Sequence, residues 1–418
     1  MTYVTDPKPS PVARPDRTLL LSTLMHRTAV DAAGQDIGRL TDIVVRLRDE
    51  TYPLVTGLVA HVGGREVYVP ATEILLWDEQ RLELASARLD LRQFARRPGE
   101  VLLRDDVLGH RLVDVEQSRL VTAHDVKLTS TEDGWQAVGV DIHPRGLLHR
   151  KSQRTWRDWS GVEALIGHDV SLPARSRLGG LRRLKPAQLA DLIEEASDHE
   201  QQELLSRVHA HPELEADVFE ELEENEAGDL LEARTDAQVA DVLSHMRSDD
   251  AADALLDLPQ ERRQPVLDLL PEARRQKIII LLGYQKATAG GLMGVDFLSV
   301  PVTSTAAEVL RGVHNATQMQ PEALVVAYSH DENNRLVGAV ALVALLQADP
   351  QVTMQVLADP EPVHVHPDAD LTEITLAMAD YNLLVLPVLD SNDALIGVLT
   401  IDDILEAAIT PEQRQMRA

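Results

Sequence analysis

Residues Ala237 to Val300, AQVADVLSHMRSDDAADALLDLPQERRQPVLDLLPEARRQKIIILLGYQKATAGGLMGVDFLSV, hold two patterns in succession. The first part places apolar residues three and four apart and is interrupted at Ser248, Pro259 and Pro271, so it reads as short helices, each with one buried stripe. One of these helices carries a carboxylate row, Asp249, Asp250, Asp253 and Asp257. The pair Gly290-Gly291 ends the run and reads as a joint. Beyond it the pattern is strand–helix alternation, and before Leu184 it is a series of short β runs, so three kinds of domain meet along this chain.

A chain of 418 residues is long for one core and implies several domains. It has no cysteine, which excludes disulfides and thiolate metal sites and fits a reducing compartment. The longest uncharged apolar run, Leu336 to Leu346, falls short of the roughly 20 residues of a membrane helix. The Pro-rich N-terminus lacks the apolar centre of a signal peptide. The expected location is the cytoplasm, free or held at the membrane by a partner, with no membrane insertion of its own. The formal charge of −28 is uneven: +1 over residues 1–183, −16 over 184–284 and −13 over 285–418. Such acidity excludes nucleic acid as a partner and favours cations or basic partners.

Residues 1–17 read as a disordered leader. Then come β runs at Ile37 to Leu47, Leu54 to Val62 and Val67 to Pro70. At an offset of 83 residues Val30-Asp31 falls on Val113-Asp114, Ile37 on Leu120, Asp42-Ile43 on Asp125-Val126 and Tyr52 on Trp135. Two copies of one β unit, 18–100 and 101–165, follow. His61 and His143 occupy matching places and read as polar strand ends, since neither has a second ligand at a usable spacing. Trp77, Trp135, Trp156 and Trp159 read as core or domain-contact aromatics. Lys151, Arg154, Arg157, Arg175, Arg177, Arg182 and Arg183 lead into and through a basic linker, 166–183, expected to dock on the acidic half of the chain. The motifs GQDIGRLTDIVVRL and LVTGLVAHVGGREVYVPATEI of the first copy, with the looser VDVEQSRLVTAHDVKL of the second, resemble the PRC-barrel, a small β-barrel that serves as a docking module.

From 184 to 286 the 3.6-residue period predicts a superhelix of stacked helix pairs. The phrase VADVLSHMRSDDAADALLDLPQERRQPVLDLL, the segment TAGGLM at Thr288 to Met293 and the sequel to Ala408 resemble the cytosolic half of the MgtE magnesium channels. That resemblance implies a helical N domain at 184–286, CBS motifs at 287–350 and 351–410, and a short tail, 411–418. It also implies Mg2+ bound between the domains and homodimers formed through the CBS pair. The family's connecting helix and membrane helices have no counterpart in the sequence. The chain is therefore expected to regulate a separate membrane protein or transporter and not to conduct ions. The fold class expected is multidomain α+β: two small PRC-like barrels, an all-α superhelix and an α/β CBS pair.

Magnesium takes oxygen ligands and keeps several waters, so one or two carboxylates suffice. Asp249, Asp250, Asp253 and Asp257 lie three or four apart on one helical side. The second CBS motif offers Asp402, Asp403 and Glu406, with Asp368 and Asp370 before another helix. Mg2+, or another divalent cation, is expected to neutralise the facing carboxylates and close the helical domain on the CBS pair. The competing structural reading has Ser248 capping its helix and Asp249 and Asp250 complementing the helix dipole. A second ligand reading is an adenine nucleotide, AMP or ATP, at the second CBS motif. There Thr400 and Asp403 match the family's ribose-binding pair, whereas the first motif has Ala341 and Ala344. No Lys or Arg occurs from Leu336 to Gln413 to clamp a triphosphate, so adenosine or AMP is expected ahead of tight ATP binding. HExxH, Walker and GxSxG motifs are absent, so no enzyme is expected. A third reading is a scaffold whose β units hold a partner and whose acidic domains are inert to metal.

Overall fold

A computed structural model describes residues 17–47, 51–86, 89–143, 154–165, 179–317, 319 and 321–408. The chain divides into two compact units, Met1–Leu222 and Glu223–Ala418. The leader, most of the basic linker, and the tail lie outside the described residues.

In the first unit the strands are β1 (Thr18–Leu20), β2 (Thr28–Val30), β3 (Asp36–Arg46), β4 (Leu54–Val62), β5 (Arg65–Pro70), β6 (Ile74–Trp77) and β7 (Arg81–Leu84). They continue as β8 (Glu100–Leu102), β9 (Arg111–Asp114), β10 (Arg119–Thr122), β11 (Asp125–Thr131), β12 (Gly134–Asp141), β13 (Trp156–Asp158) and β14 (Val162–Ala164). Among the described residues eleven strands join in one curled sheet, and β10, β9 and β14 form a small second one. The offset of 83 is visible in three dimensions. β2 recurs as β9, β3 as β10 with β11, and β4 as β12, while His26 and Gly109, also 83 apart, both adopt positive φ.

The copies are not separate bodies, because each lends its first strand to the other. β1 of the first copy pairs with β11 of the second, Leu19 opposite Leu128. β8 of the second pairs with β3 of the first, Leu102 opposite Val44. Equivalent aspartates lock the exchange. Asp42 accepts from the backbone N–H of Arg104 and Asp105, at 2.8 and 3.0 Å. Asp125 accepts from the N–H and hydroxyl of Ser22, at 3.0 and 2.6 Å. One apolar core containing Leu19, Leu40 and Leu58 of the first copy and Leu103, Leu112 and Leu128 of the second runs through both. Leu19, Leu21 and Leu24, on the exchanged strand and the one-turn helix after it (α1, Leu21–Leu24), are at most 2% exposed. At about 1.5–3 kcal/mol per buried leucine, burial outweighs the few strand hydrogen bonds in holding this segment.

Arg154 and Arg157 meet carboxylates of the β unit itself. Arg154 pairs with Asp125 at 3.2 Å and Arg157 with Asp114 at 2.8 Å. Their expected docking on the acidic half is corrected: buried aspartates beside them are the nearer partners. Lys151, Arg175 and Arg177 lie outside the described residues. Trp77 and Trp159 are buried, and Trp77 lies against Trp135 with ring centroids 5.5 Å apart.

Helices follow. In the first unit α2 (Pro186–Glu195), α3 (Asp198–Val208) and α4 (Pro212–Glu221) pack together, α2 on both others. Arg207, 3% exposed, joins α3 to β14 through Glu163 at 2.8 Å and the carbonyl of Ala164 at 2.7 Å, and also pairs with Glu203. In the second unit α5 (Glu224–Glu232), α6 (Asp236–His245), α7 (Ser248–Asp257), α8 (Gln260–Leu269) and α9 (Glu272–Leu281) each pack on the helix two ahead: α5 on α7, α6 on α8, α7 on α9. The stops have a local cause. Leu258 and Leu270 precede prolines, which exclude them from the helical region, and both are extended, ψ 151° and 149°.

The segment α10 (Ala289–Leu292) holds Gly290-Gly291. A Cβ on Gly291 would lie 2.2 Å from the carbonyl oxygen of Gln285, and one on Gly290 2.5 Å from the Tyr284 ring. The N–H groups of Ala289 and Gly290 donate to Ala369 and Pro367. These glycines therefore allow close packing against Tyr284, Gln285 and Lys286, while the backbone of the segment is tied to Ala369 and Pro367.

The segment expected to be a CBS pair repeats strand, helix, strand, strand, helix. Its first copy has β15 (Ser299–Pro301), α11 (Ala306–Asn315), β16 (Val326–His330), β17 (Leu336–Ala341) and α12 (Leu342–Gln347), with β15 parallel to β16. After α13 (Met354–Leu357), the second has a parallel bridge from Val365 to Val388, then α14 (Leu371–Asp380), β18 (Val385–Leu389), β19 (Leu395–Thr400) and α15 (Ile401–Ala408). Tyr328 of one copy and Val385 and Val398 of the other share a core.

Candidate functional site

The site lies within the second unit, where the start of α7 meets α15. Helix α6 ends at Met246, in extended conformation. Arg247 then occupies the cap position of α7, also extended and making no side-chain cap. This frees its guanidinium to reach outward. Its Nε donates to Asp250 at 2.6 Å, one Nη donates to Asp403 at 3.0 Å and the other to Glu406 at 3.3 Å. One cation thus ties the first turn of α7 to two residues one turn apart on α15.

Ser248 does not cap α7. It is the first helical residue, buried, and its hydroxyl accepts from Arg274 of α9 at 2.9 Å. Packing of α7 on α9 takes the hydroxyl that a cap would have used.

Asp403 arrives already oriented. Its Oδ2 accepts from the N–H and the hydroxyl of Thr400, both at 2.8 Å, and Thr400 Oγ1 accepts from the Asp403 N–H at 3.3 Å. This reciprocal cap starts α15 and leaves Oδ1 for Arg247. Burial raises the Asp403 carboxyl above its usual range, against the lowering effect of Thr400 and Arg247. Burial likewise raises Asp250, with Arg247 opposing and Glu406 adding to the rise. Asp249 lies well above the usual range through burial first and the charge of Asp250 second. Four carboxylates, Asp249, Asp250, Asp403 and Glu406, thus lie about the Arg247 guanidinium.

A second cluster forms one to two turns further along α7. Lys286 binds Glu224 of α5 and lies 3.7 Å from Asp253 and 3.6 Å from Asp257. Burial, opposed by Lys286 and reinforced by Asp250 and Asp257, pushes Asp253 up to about 6. Asp257 is raised by burial in the same way.

The structure therefore divides the carboxylates expected to act as one face. Asp250, Asp403 and Glu406 meet on Arg247, while Asp253 and Asp257 meet on Lys286. Asp402 is exposed and joins neither group, and Asp370 caps α14 by accepting from the Glu373 N–H at 2.9 Å. As they stand these residues do not fit a Mg2+ ion: arginine and lysine hold the oxygens that it would need. Among the described residues no group of three or more His, Asp or Glu side chains is placed to hold a metal. Sequence reasoning missed Arg247, Lys286 and Glu224. The signal for Arg247 was its position three residues before Asp250.

A separate pocket of about 640 Å³ opens beside β17, lined by Arg335, Val337, Pro362, His364, Tyr381 and Asp393 among others. Thr400 and Asp403 are not among its lining residues, being engaged with each other and with Arg247. Arg335 pairs with Asp331 at 2.9 Å.

Residues 184–287 match the family model of the MgtE intracellular N domain, and residues 355–410 match that of the CBS domain. The magnesium transporter MgtE of Thermus thermophilus is 37% identical over 126 residues, 30% of this chain and 28% of that protein. Its namesake in Enterococcus faecalis is 30% identical over 126 residues, with the same shares. The chain thus spans under a third of the length of these relatives. Among solved structures, the cytosolic domain of the Mg2+ channel MgtE in complex with ATP superposes on 54% of this chain and 91% of its own, with 30% identity and a TM-score of 0.51. The soluble part of a magnesium transporter covers 55% of this chain and 89% of its own, with 27% identity and a TM-score of 0.50. The helical run and CBS pair are homologous to the cytosolic part of MgtE transporters, and among the described residues no helix is long and apolar enough to cross a membrane.

Proposed function

We propose that this chain is a non-enzymatic regulatory module of magnesium transport or homeostasis, in which the helical run from Glu224 to Leu281 closes on the CBS pair and the closed state is set by cations. The observation that carries this reading is the seam of α7 and α15, where Asp249, Asp250, Asp403 and Glu406 gather around one guanidinium. Excess negative charge there opposes closure, and divalent cations that reduce it favour closure. Homology to the cytosolic part of MgtE supports Mg2+ as the physiological cation. The regulated partner is a separate membrane protein or transporter, and the β units, in the manner of PRC barrels, are the docking module. Exposed Val343, Leu346, Leu376, Leu384 and Leu405 of the CBS pair support a homodimer formed through it. Small-angle scattering of the full chain across a millimolar Mg2+ titration, with a monovalent salt control, tests closure. A smaller radius of gyration is expected, and an unchanged one refutes the proposal.

A nucleotide is the second reading, favoured by the pocket beside β17 and by the relative solved with ATP. Arg335 would supply the cation for phosphate and Tyr381 a ring for the base. Calorimetry with ATP, AMP and adenosine, repeated on Arg335→Ala, is expected to show heat that falls in the order of phosphate number and is lost in the variant.

A further inference from the structure

We infer that Arg247 is a tethered cation that takes the bridging place of a divalent ion between α7 and α15, so that this seam is closed without metal and removing Arg247 would make its closure depend on divalent cation. The inference rests on the proposal that cations set closure, and it assigns part of that task to the chain itself.

The geometry supports the substitution in three ways. Arg247 contacts carboxylates from both sides at once, Asp250 on α7 and Asp403 and Glu406 on α15, as a bridging ion would. The two α15 partners are three residues apart and so lie on one face, and Asp403 is fixed by Thr400 in the rotamer that presents Oδ1. The guanidinium is 19% exposed and forms hydrogen bonds at 2.6–3.3 Å, whereas Mg2+ requires oxygens at about 2.0–2.1 Å in an octahedron. Arginine and Mg2+ therefore cannot share the position. A side chain also differs from a dissolved ion in having no concentration dependence: it is present at every Mg2+ level, and its charge does not vary at physiological pH. The cluster around Lys286 lies further along α7 and feels this one through the charge of Asp250 on Asp253.

The consequence is a division of labour. At the seam the contact persists in chelator, and Mg2+ adds only a modest further protection in the intact chain. Without Arg247 the carboxylates of α7 and α15 repel, and a divalent ion restores the contact.

Hydrogen exchange of the full chain, read on peptides covering α7 and α15 in EDTA, in millimolar MgCl2 and in NaCl of equal ionic strength, tests this. In the unaltered chain both peptides are expected to stay protected in EDTA and to gain only a modest further protection in MgCl2. In Arg247→Ser they are expected to exchange roughly ten-fold faster in EDTA and to recover in MgCl2 but not in NaCl. Exchange in EDTA as slow as in the unaltered chain overturns the inference, as does recovery equal in both salts. So does an unaltered chain whose α15 protection itself requires Mg2+. Should Arg247→Ser unfold in EDTA, the double variant Arg247→Ser with Glu406→Gln decides: slower exchange than the single variant supports repulsion, and no improvement overturns it. Failure of the scattering experiment would refute Mg2+-driven closure of the intact chain and leave the difference between variants readable.

Discussion

Replacing Asp403 by alanine removes three contacts at one stroke. The carboxylate is 9% exposed and accepts from the Thr400 N–H and hydroxyl, both at 2.8 Å, and from Arg247 at 3.0 Å. Loss of the reciprocal cap of α15 costs about 1 kcal/mol. Loss of a half-buried charge-assisted hydrogen bond costs about 1.5–3 kcal/mol, the guanidinium retaining Asp250 and Glu406. The expected total is about 3 kcal/mol, which corresponds to opening of α15 more than one hundred times as frequent. Asp403→Asn keeps an oxygen for Thr400 and loses the charge, so it is expected to cost about half as much. Hydrogen exchange of the α15 peptide, combined with a double-mutant cycle against Arg247→Ser, separates the two terms: the cap loss is the same in both backgrounds and the ion-pair loss only in one. A cost for Asp403→Ala below about 1 kcal/mol, or a cycle with no coupling between Asp403 and Arg247, would refute the assignment of this seam.

Three further outcomes follow from the same structure. Asp253 is held near 6 in the folded state, above the unfolded value, so the second unit is expected to lose stability as pH rises from about 4 through 6. Asp253→Asn should remove that part of the slope in urea unfolding followed at several pH values. Gly291→Ala drives a methyl to within 2.2 Å of the Gln285 carbonyl and 2.7 Å of the Lys286 Cα, so about 2–3 kcal/mol or more of destabilisation is expected by urea unfolding, with faster exchange around Lys286. Asp125→Ala removes the acceptor of the Ser22 N–H and hydroxyl and the nearer carboxylate of Arg154. It should cost about 1–2 kcal/mol, read as loss of protection in both β copies and not in the second alone, because β1 is shared.

Much of the architecture was legible before any coordinates. The helix breaks at Pro259 and Pro271 follow from the backbone restriction that proline places on the residue before it, which needs no tertiary information. The β repeat was legible because equal strands recur at a constant offset, and the CBS copies because strand and helix periods alternate. The candidate site was legible only by residue type. Asp250, Asp403 and Glu406 were expected to face one another, and they do, but around an arginine and not a metal ion. Ser248 shows why: a hydroxyl before two aspartates is a good cap by local rules, yet Arg274, 26 residues away, takes it.

By itself, then, the sequence determined what depends on neighbours along the chain: where helices stop, where units repeat, and the sign and excess of charge in each part. Only the tertiary structure decided which repeat each first strand completes, and which cation answers which carboxylate. β1 could have closed its own copy or the other with the same alternation of apolar residues, and shared burial of Leu19, Leu21 and Leu24 made the choice. Arg247 and Asp403 are 156 residues apart, and their pairing depends on where two helices pack, which no local period records. Charge count is additive along a chain, whereas charge balance depends on distance, and that distance exists only in the fold.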